Sequence, residues 1–225
     1  MGVQLPPWVW VGAGSLACVG GMVNVVGYLG FEHQAVTHLT GTTTLLGAAV
    51  AAGDKRAMLH LLGVAVAFMA GSALSGMIIQ DSTLRIGRRY GVTLTLEAIL
   101  LVLAVPLFQR HQIGGALFAA MACGLQNAMA TTYSGAVIRT THLSGMFTDL
   151  GIGLGHAMRG LPLQKRRLML CALIISCFFA GGVAGALLFA RLGYHALLVP
   201  ASLTGLTGAG YFAYRQWQMT GNNPS

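Results

Sequence analysis

The sequence predicts an all-α integral membrane protein built from two related halves. Three observations carry the prediction: the scarcity of charge, the length of the apolar runs, and a polar motif that occurs twice. Apolar residues make up 55% of the 225 and charged residues only 8%, with a mean hydropathy of +0.71. A soluble domain carries about 25% charged residues. Five acids and thirteen Lys and Arg cannot coat a water-soluble globule of this length, whereas a bilayer accepts an apolar surface.

A spanning helix needs about 20 mostly apolar residues. Residues 8–31, 58–79, 91–108, 113–133, 168–190 and 194–214 meet that requirement and are expected as six full transmembrane helices. Two shorter and more polar segments, 37–53 and 140–158, are expected as broken or re-entrant helices, the alternative being eight spans. Trp8, Trp10 and Trp217 are expected at the membrane–water interfaces, as are Glu32 and His33 at the end of the first span. No Lys or Arg precedes the first run, so it reads as a retained membrane segment and not a cleaved signal.

The two polar segments match each other. Thr37-His38-Leu39-Thr40-Gly41 is repeated as Thr141-His142-Leu143-Ser144-Gly145, and the same offset relates Thr44 to Thr148 and Gly47 to Gly151. The preceding runs also match, Gly21-Met22-Val23-Asn24 with Gly124-Leu125-Gln126-Asn127. Later, Ala70-Gly71 parallels Ala180-Gly181. This order predicts an internal duplication, 1–108 and 109–225, within one membrane domain. Four spans per half would give halves of the same orientation, and three spans plus a re-entrant segment would give inverted halves.

The formal charge of +8 does not signal nucleic acid, because the basic residues fall in short clusters between apolar runs and no groove-reading motif accompanies them. They read as loop charges that set orientation. With six spans, nine of the thirteen fall on the side of the termini and four on the other; with eight, the division is eight and five. Either count places both termini in the cytoplasm.

The candidate site residues come from the repeated motif and its neighbours. Thr37, Gly41, Thr44 and Ala48 are spaced to share one helix face, as are Thr141, Gly145 and Thr148. Such a stripe serves either as a helix-packing seam or as the lining of a solute path at broken helices. Thr40 and Ser144 add hydroxyls within the motif. His38 and His142 need a partner or a wet cavity inside an apolar segment, and the titration range of histidine suits proton relay. Asn24, Gln126 and Asn127 offer amide donors and acceptors to a ligand or to a neighbouring helix. Two carboxylates lie within apolar segments, Glu97 and Asp149, and each must be protonated, paired or wet. With the histidines they form the set of proton-coupling candidates.

Cys18, Cys123, Cys171 and Cys177 lie singly in apolar runs and form no C-x-x-C pair, so they are read as small hydrophobes. No metal site, cofactor or catalytic residue is expected. The sequence holds no nucleophile elbow, P-loop, dinucleotide fingerprint or H-E-x-x-H.

Gly21-Met22-Val23-Asn24 with Thr40-Gly41, and Gly124-Leu125-Gln126-Asn127-Ala128 with Thr140 to Gly145, resemble the YoaK-like family of bacterial multi-pass membrane proteins, a domain family of unknown function. The resemblance runs from about residue 11 to 214. Asn24 stands where that pattern leads one to expect Asp, and Thr42 stands where Asn is usual. The resemblance implies a bacterial inner-membrane protein and gives no substrate. With the duplication, it leads to the expectation of a small secondary transporter or exporter and not an enzyme. The expected partners are the lipid bilayer and an unidentified small solute, with homo-oligomerisation left open. A non-transporting scaffold or regulatory subunit is the alternative, and an intramembrane enzyme a more distant one.

Overall fold

In the computed structural model of the chain, residues 6–30, 36–79, 88–133 and 140–221 are described, and all their regular structure is helical. The helices are α1 (Pro7–Gly30), α2 (Leu39–Ala52), α3 (Lys55–Ile78), α4 (Arg88–Gln109), α5 (Ile113–Tyr133), α6 (Leu143–Met158), α7 (Lys165–Leu192) and α8 (Leu198–Gly221). Glu32, His33 and the Trp217 side chain lie outside the described residues. Five helical stretches are long and apolar enough to cross a membrane by length and composition, the last of them, Lys165–Ala213, taking in both α7 and α8. Their outward surfaces are apolar: Leu59, Met77, Phe179 and Leu206 are all more than two-thirds exposed. Water would penalise that surface and hydrocarbon does not.

Local chemistry sets the boundaries. Gly53 takes the left-handed conformation (φ 69°) that ends α2. Asp54 then caps α3, its Oδ1 accepting the N–H groups of Arg56 (3.1 Å) and Ala57 (3.0 Å), as a short acceptor at an N-cap should. Gly160 (φ 67°) closes α6 in the same way. The helices α3 and α7 begin earlier than hydropathy suggests, taking in Lys55 and Arg56, and Lys165, Arg166 and Arg167. Long cationic side chains at a span's end can reach the interface along their own stems. In the other direction, α8 starts later than expected, because Gly193–Leu197 forms a 3-10 turn.

The main packing pairs are α1 with α7, α3 with α5, and α4 with both α5 and α8. Glycines set the close approaches. A Cβ on Gly21 would run into the carbonyl of Phe178, and one on Gly181 into the carbonyl of Cys18. In the other pair, a Cβ on Gly124 would run into the carbonyl of Phe68, and one on Gly71 into that of Met121. Lipid tails are as apolar as Leu, so close backbone contact of this kind is a main source of helix association in a membrane.

The same contacts give direction. Along α1 and α7 they advance together, Gly14 against Leu173 and Cys177, then Gly185 against Met22 and Val25. They also advance together along α3 and α5, from Gly63 against Leu117 to Gly71 against Met121 and Leu125. Along α4 and α8 they run oppositely, Gly91 against Gly208 and Tyr211, and Ala98 against Gly205. Two apolar clusters fill the interior. One gathers Leu101, Phe108 and Leu125 with Val23 and Leu197; the other gathers Ala17, Leu94, Met129 and Ile174.

Candidate functional site

The short helices α2 and α6 each touch mainly one neighbour, α3 and α7 respectively. Both begin immediately after the motif histidine, with His38 and His142 in the N-cap positions. Neither histidine caps its helix with a side-chain hydrogen bond. The glycine three residues on explains the motif's spacing. A Cβ on Gly41 would stand 2.5 Å from His38 Nδ1, and one on Gly145 would stand 2.8 Å from His142 Cδ2. Each ring lies over the first turn of its helix, and only glycine leaves room for it.

Both histidines are exposed, and both border one cavity of about 690 Å³. Asn24, Thr37 and Thr40 line it from the first half, and Asn127, Thr141 and Ser144 from the second. Ser72, Thr131, Thr132 and Phe178 also line it, and none of them stands out in the sequence. A helical hydroxyl is a weak sequence signal, because it can bond to its own helix: Thr131 to the Asn127 carbonyl and Thr132 to that of Ala128. Ser72 bonds to the carbonyls of Phe68 (3.0 Å) and Gly124 (3.1 Å), tying α3 to α5.

The two asparagines differ. Asn24 Oδ1 accepts the Thr37 hydroxyl at 2.7 Å and the Thr37 N–H at 3.1 Å. Asn127 Oδ1 is buried and, among the described residues, has no hydrogen-bond partner. Gln126 turns away from the cavity; its Nε2 donates to the Leu16 carbonyl at 2.6 Å and links α5 to α1.

The remaining candidates lie elsewhere. Thr37 and Thr141 precede the short helices and are not part of them, so the expected one-face stripes begin only at Gly41 and Gly145. Thr44 and Thr148 are exposed, away from the cavity lining, and their hydroxyls bond to the carbonyls of Thr40 (2.9 Å) and Ser144 (3.0 Å). Asp149 is paired. Arg167 grips it through Nη2 (2.8 Å to Oδ1, 2.9 Å to Oδ2) and Nε (3.1 Å to Oδ2). Glu97 is 1% exposed within α4 and does not border this cavity. Among the described residues, no group of three or more His, Cys, Asp and Glu gathers as a metal site would require.

The cavity therefore offers donors and acceptors together. The first N–H groups of a helix have no carbonyl of their own helix to bond, and Leu39 and Thr40 of α2 and Leu143 and Ser144 of α6, the first residues of their helices, line the wall. Beside the cavity the buried Asn127 oxygen lacks a partner among the described residues. Among the described residues, no carboxylate lines the wall. A small polar molecule fits such a chemistry.

A family model described as "Protein of unknown function (DUF1275)" matches residues 13–210. No curated protein and no solved structure matches the chain. The match spans every helix from α1 into α8 and both copies of the Thr-His motif, and it agrees with the YoaK-like resemblance of the motifs. The chain belongs to the DUF1275 family, whose function is unknown.

Proposed function

We propose that the chain is a small secondary transporter or exporter of the bacterial inner membrane, passing a small polar solute through the cavity between two inverted halves. The observation that carries this reading is that His38 and His142, at matching places in the two repeats, border the same cavity.

The topology supports it. Helix α2 has 14 residues and α6 has 16, about 21 and 24 Å at 1.5 Å per residue. Both are shorter than a hydrocarbon core of about 30 Å. The Lys165–Ala213 stretch of 49 residues is about 73 Å long, more than twice that thickness. It is best accommodated as two spans reversed at the 3-10 turn, which makes six in all. Helices α1, α4 and α7 then run one way and α3, α5 and α8 the other. Each helix opposes its counterpart in the other half, α1 against α5, α3 against α7 and α4 against α8. That is the inverted-repeat arrangement in which solute sites lie near the midplane at discontinuous helices. Six spans and the balance of basic residues leave both termini cytoplasmic.

An enzymatic reading has less support, since neither Asp149 nor Glu97 lines the wall that the histidines share. The test is two-sided accessibility. In a background with Cys18, Cys123, Cys171 and Cys177 replaced, His38→Cys and His142→Cys are reacted in sealed vesicles with a membrane-impermeant thiol reagent from either side. An alternating pathway exposes each position to both sides in turn. A scaffold leaves each reactive from one side only, or from neither.

A further inference from the structure

Glu97 lies in the middle of α4, 1% exposed, and among the described residues its Oε2 has no hydrogen-bond partner. Among the described residues no cation pairs with it. Its titratable neighbours are Tyr90 on its own helix and Cys123 on α5. Tyr211 of α8 meets Tyr90 edge to face, and residues 198–208 of α8 contain no titratable side chain. His195, in the turn before α8, bonds Gln109 at the far end of α4. The duplication gives no packing reason for an acid here, because Val199 stands near the matching place in the second half.

Two features suggest how this carboxyl reaches water. Tyr90 and Leu94 stand two turns and one turn before Glu97 on the same face of α4. Both border a second cavity of about 690 Å³, between α1, α4 and α8, whose wall includes Thr204 and Thr207. The seam of α4 with α8 is also held without hydrogen bonds from its threonines. The hydroxyls of Thr95, Thr204 and Thr207 all bond within their own helices. Backbone approach at Gly91, Gly205 and Gly208 does the packing instead.

We propose that Glu97 is a proton-binding site, neutral while α4 and α8 are closed against each other and ionised when that seam opens. A carboxylate without a partner is costly in the closed core, and the neutral acid is tolerated. Ionisation and opening are therefore one linked equilibrium. What the proton is used for rests on the transport reading, where it is the coupling ion; the protonation cycle itself does not.

The test uses the full chain in phosphatidylethanolamine–phosphatidylglycerol liposomes, without any solute. Infrared spectra of ¹³C-glutamate protein, with E97Q as the reference, report the state of the acid, and amide hydrogen exchange reports the seam. The expected result is a protonated-carbonyl band at neutral pH that E97Q lacks and that vanishes on alkaline titration. Below that point, exchange at 91–98 and 205–208, corrected for its intrinsic pH dependence, rises about tenfold per pH unit. In E97Q, which mimics the neutral acid, these segments stay protected. A carboxylate band at neutral pH overturns the proposal. So does a band that survives the whole titration, or one that vanishes without faster exchange. If E97Q does not fold, Glu32→Gln removes the other glutamate and assigns the band. Failure of the two-sided labelling leaves this result untouched, and the reverse also holds.

Discussion

One oxygen of Asn24 holds Thr37 by both its hydroxyl and its backbone N–H, at 2.7 and 3.1 Å. This pair ties the residue just before His38 to α1, two residues ahead of the start of α2. Thr37 is 7% exposed, so its donors have little water to fall back on.

Removing that acceptor has a defined cost. Asn24→Leu leaves two buried donors unmet, each worth about 1–3 kcal/mol, and the protein is expected to lose a few kcal/mol of stability by thermal unfolding in detergent. Asn24→Asp keeps the acceptor and is expected to stay near the parent. Equal loss in both variants would mean that the hydrogen bonds are not what hold this turn.

The glycine crossings make a sharper division. Alanine at Gly21, Gly71, Gly124 or Gly181 sets a methyl against a backbone carbonyl of the facing helix, and overpacking of that kind costs about 1–3 kcal/mol. Alanine at Gly47, Gly151 or Gly182 meets nothing within 4 Å and is expected to be neutral or slightly stabilising. The same unfolding measurement across all seven variants checks the pattern.

The Asp149–Arg167 pair is expected to matter little. Its side chains are 27% and 57% exposed, and exposed ion pairs contribute about 1 kcal/mol or less. Asp149→Asn should therefore shift stability only slightly and leave thiol labelling at His38→Cys unchanged. A large change in that labelling would return Asp149 to the pathway.

The motif glycines bear on the cavity itself. Gly41→Ala and Gly145→Ala push the neighbouring imidazole off the first helical turn. Each is expected to change the rate at which the adjacent histidine reacts with diethylpyrocarbonate, read by mass spectrometry, while the other histidine reacts as before. Unchanged rates at both would show that the rings do not rest on these glycines.

Much of this was legible in the sequence, for identifiable reasons. Long apolar runs report the candidate spans, because a helix that crosses hydrocarbon needs about 20 mostly apolar residues. The doubled Thr-His-x-[Thr/Ser]-Gly motif pointed to both sides of one cavity. Contacts between distant residues were not legible. Thr37 looks helical by spacing, but its bond to Asn24 across 13 residues holds it outside α2. Arg167 looks like a loop cation, and only the packing of α6 on α7 makes it the partner of Asp149. Thr44 and Thr148 satisfy their hydroxyls within one turn and so can face outward, which periodicity alone does not reveal. Gln126 carries the same polar signal as Asn127, yet its Nε2 goes to the Leu16 carbonyl and the residue does not border the cavity.

The account stands on two halves of the chain bringing their histidine motifs to one space. A chain carrying only His38→Cys and His142→Cys, treated in native membranes with a short bis-maleimide and then cut by trypsin at the exposed Arg110, tests this directly. The account expects the two fragments to remain joined. Modification of both cysteines with complete separation of the fragments would contradict it.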